Sequence, residues 1–416
     1  MLTASPLALL RNATLADGSQ VDVVLADGLV TAVVPTGQAA PSDAQLDLTG
    51  YLLLPAVADP HAHLDKARSW TAIQPPMGDL ISAIGAWRSY SDVMTEDDVA
   101  ARARAQALAM LALGTTAVRT HVDIRLGDDP TLNVRALVRV REELGSLMDL
   151  ELVALAGPDT TDRAVDMALD LGVDLVGGAP HLALDPLADM TRLLSIAERR
   201  GVGVDLHVDE SLDGPVTLDA YARAVRGWSQ NVSAGHCCRL GTLETAERVR
   251  IIAEVVASDV GIIANPITNL YLQGWQHDTS TPRGLVPARE LLDAGARFAA
   301  GADNVRDPFN PLGRSDGLET AMLLVVAGHL TTAEAYAAVS TGARDVMRLP
   351  AAGPVVGARA DLLAVRGVDL AEVVACAPAD RMVLRAGRLV ARTTTQLELA
   401  APVPTSQTSS ATLQEA

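Results

Sequence analysis

The chain has 416 residues, of which 49% are hydrophobic, and a formal net charge of -18 at pH 7. This length and apolar content allow a large buried core. The negative charge repels phosphate backbones and anionic lipids, so we expect neither a nucleic acid nor a membrane as partner. With three cysteines, no secretory signal and no apolar run of ~18 residues, a cytoplasmic protein without disulfides is predicted.

Both ends of the chain have the pattern of short β-strands. Alternating apolar residues flank an Asp-Gly turn at 27–28, and the segments ADLLAVRG and RMVLRAGRLVAR repeat the pattern near the other end. We predict that residues 1–54 and 352–400 form a small β-sandwich domain, and that residues 55–351 form a second domain. The polar segment 401–416 has no apolar periodicity and is predicted to be a disordered tail.

The middle of the chain alternates eight short apolar, β-branched segments with helical patterns. The segments are YLLLPAVAD, GTTAVRTHVD, LELVALA, VDLVGGAP, GVGVDLHVD, NVSAGH, GIIANP and ARFAAGAD. In the clearest helix we expect Thr95 to cap the amino terminus, Asp98 to complete a capping box and Gly114 to end the helix. Eight strands that alternate with helices predict a (β/α)8 TIM-type barrel. A doubly wound sheet is the alternative, although no G-x-G-x-x-G motif follows the first strand.

Polar residues lie at the carboxyl ends of these predicted strands, where barrel enzymes form their active sites. They are, from the first strand to the eighth, His61, His63, His121, His207, Glu210, His236, Asn265 and Asp303. His61 and His63 are two residues apart in a strand, so their side chains point to the same side. Because the eighth strand of a closed barrel is next to the first, we expect Asp303 beside this pair and His207 facing it.

Four of these residues are of the types that bind one divalent metal ion per subunit. They are His61, His63, His207 and Asp303. Three imidazoles and one carboxylate suit Zn²⁺ or Fe²⁺ and leave a position for water.

The other histidines, His236 apart, are interpreted as structural. We expect His121 to be a core residue with satisfied hydrogen bonds. His181, His277 and His329 are expected in loops or on helices, without a role at the site.

The motifs and their order resemble the amidohydrolase superfamily, and within it the cytosine deaminase branch. The segments that carry the resemblance are DPHAHLDK, VRTHVD, VDLVGGAPH, DLHVDE, SAGH, NPITNLYLQG and GADNVRDPFNPLG. The ending HLDK is also similar to N-isopropylammelide isopropylamidohydrolase, which removes alkylamines from triazine rings. The resemblance implies a barrel with one catalytic metal on the four residues named above, with Glu210 transferring protons and His236 contacting the substrate and the activated water.

Two departures from cytosine deaminases fall on substrate recognition. Those enzymes have a glutamine after the third strand that contacts the amide edge of the pyrimidine, whereas Gly157 is at that place here. Asn304 replaces the acid that follows the metal aspartate in that family. Gln273 matches the family segment LQG and is predicted to line the pocket.

Lys66 and several aromatic residues are the other candidates for substrate binding. We expect Lys66 to pair with Asp65 or a neighbouring acid at the mouth, and it is also a candidate to contact a carbonyl-bearing substrate. The candidates for stacking on a flat ring are Trp70, Trp87, Trp275 and Phe309.

The residues and the resemblance together predict a hydrolase that deaminates an aminated N-heterocycle of the pyrimidine, triazine or pterin type. Barrel enzymes of this type often assemble, so a homo-oligomer is also expected. A divalent ion lowers the pKa of a bound water toward ~7, and we expect the hydroxide to attack an amidine carbon. Asp303 is expected to accept the water proton, and Glu210 to protonate the ring nitrogen before ammonia leaves. The alternatives are an N-alkyl or cyclic amide hydrolase of the same superfamily, and an inactive barrel that only binds ligands.

Overall fold

The structure is a computed structural model that describes residues 5–398. Its strands are β1 (Leu9–Thr14), β2 (Gln20–Ala26), β3 (Leu29–Pro35), β4 (Gln45–Asp47), β5 (Tyr51–Pro55), β6 (Val57–Ala62), β7 (Thr115–Asp123), β8 (Asp149–Ala156), β9 (Leu175–Gly178), β10 (Gly203–Val208), β11 (Val232–His236), β12 (Gly261–Ala264), β13 (Phe298–Ala300), β14 (Leu362–Arg366), β15 (Arg381–Arg385) and β16 (Arg388–Thr393). The predicted tail 401–416 lies outside the described residues.

Fourteen α-helices connect or flank these strands within the described range. They are α1 (Trp70–Ile73), α2 (Leu80–Ser91), α3 (Glu96–Ala112), α4 (Leu132–Leu144), α5 (Asp162–Asp170), α6 (Pro186–Arg200), α7 (Leu218–Ala224), α8 (Thr245–Ala257), α9 (Pro266–Leu272), α10 (Ala288–Asp293), α11 (Gly317–Val326), α12 (Thr332–Ala338), α13 (Thr341–Val346) and α14 (Leu370–Cys376). None of the helices between residues 5 and 398 is long and apolar enough to cross a lipid bilayer.

Strands β6 to β13 form a parallel barrel in which each strand pairs with the next along the chain. An isolated parallel bridge between Ala62 and Asp303 joins the end of the last strand to the first. Each helix carries the chain back so that the next strand lies parallel and adjacent to the one before it. Eight strands added in this way close into a barrel. The predicted (β/α)8 fold is confirmed.

The two chain ends share a second, mixed sheet. Its strand order is β16-β15-β14-β5-β1-β2-β3, and β4 pairs with β1. The predicted Asp-Gly turn joins β2 to β3, with positive φ angles of 50° at Asp27 and 78° at Gly28. Strand β5 pairs with β14 over five residues, so the segment that leads into the barrel is held by the far end of the sequence. The division of the chain into domains at residues 54 and 352 stays a prediction.

The segment YLLLPAVAD, predicted to be one strand, is two strands in different sheets. The chain leaves β5 at Pro55 and enters β6 at Val57, while the N–H of Ala56 donates to the carbonyl of Asp361 (3.0 Å). Nearly every residue of both strands is buried, so the apolar pattern runs across the junction without a break. Continuous burial hides the boundary because the sequence shows no change of periodicity there.

Helix α3 begins and ends close to the predicted residues, but its capping box is only half formed. The Thr95 hydroxyl accepts from the N–H of Asp98 (3.2 Å), as predicted. The Asp98 carboxylate instead accepts from Nε of Arg102 (3.0 Å), one turn further along the helix. The ion pair therefore replaces the second half of the box.

A buried ion pair connects the mixed sheet to the barrel. Both terminal nitrogens of Arg381, on β15, donate to Asp316 at the amino terminus of α11, and both distances are 2.8 Å. The side chains are 1% and 2% exposed. Arg381 also donates to the carbonyl of Leu113 (2.7 Å), beyond the end of α3. Two parallel bonds in a dry environment hold the two sheets in one relative position.

We predict that Arg381→Met lowers the free energy of unfolding by about 3–5 kcal/mol, because it leaves the Asp316 carboxylate buried without its cation. Adding Asp316→Asn removes that charge, keeps a helix cap and should recover part of the loss. The matched control is Arg366→Met, which breaks a pair with the Arg366 side chain 54% exposed and should cost about 1 kcal/mol or less. Urea unfolding followed by circular dichroism measures all three. Equal losses for Arg381→Met and Arg366→Met would contradict this role.

Candidate active site

The carboxyl ends of β6, β10 and β13 bring three histidines and one aspartate together. Nε2 of His63 lies 3.2 Å from Nε2 of His207 and 3.2 Å from Oδ1 of Asp303. Nε2 of His61 lies 3.7 Å from the same carboxylate oxygen. All four side chains are at least nine-tenths buried, with exposures of 0–7%. The predicted ligands therefore converge on one point inside the barrel mouth.

This cluster fits a divalent metal ion. Ligand atoms that share one tetrahedral ion at ~2.1 Å lie ~3.4 Å from one another, which is close to the observed separations. Both ring nitrogens of His61 and both oxygens of Asp303 are buried without a hydrogen-bond partner among residues 5–398. Burial, reinforced by neighbouring basic groups, lowers the pKa of His61 and of His207 well below the usual value. Neutral imidazoles offer the lone pairs that a metal needs.

Unusual backbone conformations aim several of these side chains. Asp303 and His236 have positive φ angles of 56° and 69°, a region that costs non-glycine residues about 1–3 kcal/mol each. Gly235 lies against His61, where an added Cβ would approach the His61 ring to 2.7 Å. The imidazoles therefore come close together through strained backbone at Asp303 and His236 and through the absence of a side chain at Gly235.

Glu210 lies two residues beyond β10 and is 4% exposed. Burial, with a smaller contribution from the Asp303 carboxylate, raises the pKa of Glu210 to about 8. Burial also raises the pKa of Asp303, to about 6. Two carboxyl groups with different proton affinities are thus present in one site, which is the arrangement that acid–base chemistry requires.

His236 ends β11 and connects the carboxyl groups to helix α9. Its Nδ1 lies 3.6 Å from Oε1 of Glu210 and 4.0 Å from Oδ2 of Asp303. The amide nitrogens of Asn269 and Asn265 lie 3.0 and 3.3 Å from its ring nitrogens. Burial lowers the pKa of His236 to about 4, so the ring is neutral near pH 7. A fixed neutral imidazole can hold a water or a substrate atom by hydrogen bonding.

These groups face a cavity of about 370 Å³, within the range of small-molecule sites. Side chains of α2, among them Ile84 and Trp87, line one part of it, and the loop after β8 lines another. Gly157 is in that loop, and a Cβ built there would touch only the Thr160 hydroxyl, at 3.7 Å. The wall at Gly157 is therefore open. The predicted pocket residues Lys66, Asn304 and Phe309 also line this cavity.

Asn304 follows Asp303, one of the four clustered side chains, and is held in one orientation. Its amide nitrogen donates to Oδ2 of Asp307 (2.8 Å), and its backbone carbonyl accepts from the amide of Asn310 (2.9 Å). The amide oxygen of Asn304 has no protein partner within the described residues. A carboxylate and a carboxamide differ in charge, but the tethered amide still offers an acceptor to the cavity.

Lys66 forms the predicted ion pair with an acid at the mouth, and its main partner is Asp123 rather than Asp65. Its Nζ lies 2.6 Å from Oδ1 of Asp123, at the end of β7, and 3.7 Å from Oδ1 of Asp65. Burial disfavours the charged ammonium, but Asp123 and Asp65 outweigh this effect and raise the pKa of Lys66. Nζ also lies 3.3 Å from Nδ1 of His63, next to the metal cluster.

Three predicted pocket residues do not line the cavity. Gln273 lies behind Glu210 and donates from its amide nitrogen to the Glu210 backbone carbonyl (2.7 Å), so it supports the loop that carries the acid. Trp275 is 47% exposed and donates to the Tyr271 carbonyl. Trp70 is in α1, outside the lining, whereas Trp87 and Phe309 do line the cavity.

Two histidines differ from their predicted surroundings. His181, predicted to have no role at the site, lies behind it: its Nδ1 is 3.2 Å from the His207 carbonyl and its Nε2 is 3.8 Å from Oε2 of Glu210. His181 follows the fourth barrel strand. A search for polar residues at the carboxyl ends of the strands, which found the other residues, could therefore have included it. His121 is fully buried, as predicted for a core residue. Neither of its ring nitrogens has a hydrogen-bond partner within residues 5–398, so the prediction that its hydrogen bonds are satisfied is wrong.

Comparison with known proteins places this fold and site in a family. A profile of the amidohydrolase family matches residues 84–391. The chain belongs to the amidohydrolase family, which confirms the resemblance seen in the sequence and the predicted hydrolase class. The metal dependence of this family agrees with the His/Asp cluster described above.

The relatives include enzymes that act on small heterocycles. A pterin deaminase from Rhizobium rhizogenes is 34% identical over 385 residues, which cover 89% of this chain and 88% of that protein. A 5-methylcytosine deaminase structure from Klebsiella pneumoniae is similar with a TM-score of 0.85 and 25% identity, covering 94% of this chain and 99% of that one. An N-isopropylammelide isopropylaminohydrolase structure from Burkholderia multivorans has a TM-score of 0.80 and 28% identity, covering 92% and 98%.

We predict that His207→Ala and Asp303→Ala each lower the metal content of the purified protein to well below that of the unaltered chain. Each change removes a ligand from the point where the four side chains meet. The control is His277→Ala, which removes an exposed histidine outside the cluster and should leave the metal content unchanged. Elemental analysis by mass spectrometry measures the bound metal per chain. Full metal content in both ligand variants would contradict the assignment.

Proposed function

We propose that the protein is a metal-dependent hydrolase that deaminates a bicyclic, pterin-type 2-amino-4-oxo heterocycle. Water adds to the ring carbon that bears the amino group, a C–O bond forms, the exocyclic C–N bond breaks and ammonia leaves. A carbonyl replaces the amino group on the product ring. The relatives that act on cytosine-type and pterin-type rings support this reaction class.

The open wall at Gly157 supports a bicyclic ring. A single six-membered ring would leave part of the cavity of about 370 Å³ unfilled, whereas a second fused ring can extend toward the loop after β8. Trp87 and Phe309 offer aromatic faces for a flat ring in the same cavity. The relative that is 34% identical carries the name pterin deaminase, in agreement with this ring size.

We assign the metal to His61, His63, His207 and Asp303 and propose one zinc or iron ion per chain. When bound, such an ion supplies the Lewis acidity that brings the pKa of water toward about 7. Asp303 accepts the proton of the attacking water. The neutral His236 ring orients that water and stabilises the negative charge that develops as it attacks.

Glu210 acts as the general acid toward the ring nitrogen next to the attacked carbon. An amidine carbon is a weak electrophile until its nitrogen is protonated, so a carboxyl group that keeps its proton at neutral pH is needed. The pKa of about 8 for Glu210 provides this form at pH 7. The same proton can pass to the departing amine as the tetrahedral intermediate collapses.

Substrate identity is tested with a panel of rings on the metal-loaded enzyme. We expect ammonia release from 2-amino-4-oxopteridines with a kcat/KM at least about 10²-fold above that for cytosine or for N-alkylated aminotriazines, since only the bicycle fills the cavity. Gly157→Gln should reduce this ratio, because a long side chain would occupy the space of the second ring. Release of alkylamine in place of ammonia, or a preference for cytosine, would contradict the proposed substrate.

Glu210→Gln should lower kcat by about 10²–10⁴-fold while the metal content stays unchanged, because glutamine is similar in shape but cannot donate the proton. In the unaltered enzyme, kcat/KM should have its full value below the pKa of Glu210. It should fall as the pH rises through this pKa, because only the protonated carboxyl group is active. A bound cation favours the carboxylate, so about pH 8 is the upper limit for this midpoint.

The alkaline loss should be missing in Glu210→Gln, whose residual activity has no carboxyl group to titrate at this position. A pH profile of kcat/KM for both proteins, with metal analysis of each sample, makes the comparison. Undiminished turnover in Glu210→Gln would refute the assignment.

A further inference from the structure

Lys66 is the only lysine among the 33 basic side chains of the chain; all of the others are arginine. It is also one of the most enclosed cations, with 3% of its surface exposed, and it lines the cavity. An ammonium is a compact charge with three donors, whereas a guanidinium is a larger, planar fork. The use of lysine at this one position therefore indicates a requirement for a compact donor.

Asp123 holds this ammonium at the cavity wall and is itself held by helix α2. Oδ1 of Asp123 accepts from Nζ of Lys66 and Oδ2 accepts from the indole N–H of Trp87, and both distances are 2.6 Å. The backbone N–H of Asp123 donates to Oδ2 of Asp65 (3.0 Å). The two side-chain donors fix the direction of the carboxylate, and the backbone hydrogen bond fixes the position of the residue. The Asp123 side chain is 22% exposed, toward the cavity that it lines.

The pair presents a donor and an acceptor side by side. The Lys66 ammonium has three N–H groups. Within the described residues Asp123 accepts one of them (2.6 Å) and Nδ1 of His63 lies within 3.3 Å of Nζ, so one N–H group is left for a ligand. Each carboxylate oxygen of Asp123 accepts one side-chain donor and has a second lone pair. The loop after β8 also lines this cavity, and at Gly157 it has no side chain that could compete for the ring.

We propose that Lys66 and Asp123 together bind the lactam edge of the substrate ring, with Lys66 donating to the ring carbonyl and Asp123 accepting from the adjacent ring N–H. This assignment rests on the proposed function, because it takes the substrate to be an aminated ring that also has a lactam. It makes Asp123 a residue that determines specificity, and it explains why the buried cation is a lysine. A ring in which an amino group replaces the carbonyl reverses both hydrogen bonds, so it would place N–H against ammonium and a lone pair against carboxylate.

The kinetic test compares a 2-amino-4-oxopteridine with the corresponding 2,4-diaminopteridine on the metal-loaded enzyme. The unaltered enzyme should prefer the lactam by at least about 10²-fold in kcat/KM, because a site built to hydrogen-bond a group rejects the analogue without it. Lys66→Met, Lys66→Arg and Asp123→Asn should each lose most of the rate on the lactam, and the preference should shrink to less than about tenfold. The matched control is Asp129→Asn, which removes a surface carboxylate that pairs with Arg135 and should keep the preference.

Metal analysis accompanies each variant, because Lys66 also lies near His63. Variants that keep both their metal and the full preference for the lactam would overturn the proposal. An equal loss of rate on both pteridines, with the preference intact, would also overturn it, since that result indicates a structural role only.

The single lysine gives a second measurement that does not depend on turnover. Protein labelled with ¹³C at the lysine ε-carbon should give one lysine signal in an NMR spectrum, and that signal belongs to Lys66. Titration with the deaminated 2,4-dioxopteridine should shift this signal saturably, whereas the 2,4-diamino analogue should not. An unmoved signal at millimolar dioxo compound would overturn the proposal. A saturable shift in an enzyme that releases no ammonia would support the lactam contact while refuting the proposed deamination.

Discussion

The site is assembled at the junction where the first and last strands of the barrel meet. The N–H of Asp303 donates to the carbonyl of His61 at 2.8 Å, where the last strand meets the first. More than two hundred residues separate these two positions in the chain, so only closure of the sheet brings the aspartate to the histidine pair. His207 arrives from the opposite side of the same ring. A change that opens this junction would remove the contact that holds Asp303 beside His61.

Burial then gives the assembled groups different chemical roles. The same dry environment raises the pKa of Glu210 and lowers that of His236, so the carboxyl group keeps its proton and the imidazole loses its own. The three histidines of the cluster are likewise neutral. The amides of Asn265 and Asn269 support His236, whereas the Lys66 ammonium lies beside His63. The barrel thus holds neutral imidazoles next to buried ion pairs such as Lys66–Asp123.

Sequence periodicity was sufficient to predict the barrel and the residues at its mouth, because strand alternation fixes which side chains share a face. Alternation places His61 and His63 side by side, and closure of the predicted barrel adds His207 and Asp303. Two residues were misplaced because local contacts, which periodicity does not show, set the direction of their side chains. Gln273 turns back to the Glu210 carbonyl, and His181 turns toward His207. The sequence also did not show which acid pairs most closely with Lys66. Asp65 is adjacent in the chain, whereas Asp123, which is closer in the structure, belongs to another strand.

The enclosure of Lys66 has a practical consequence for measuring motion in this protein. Amine-directed acylating reagents have two chemical targets in such a chain, the terminal α-amino group and one ammonium behind Trp87. Lys66 is 3% exposed, so its ammonium should react more slowly with a bulky reagent than the α-amino group does. The ratio of the two acylation rates therefore measures how accessible this wall of the cavity is in solution.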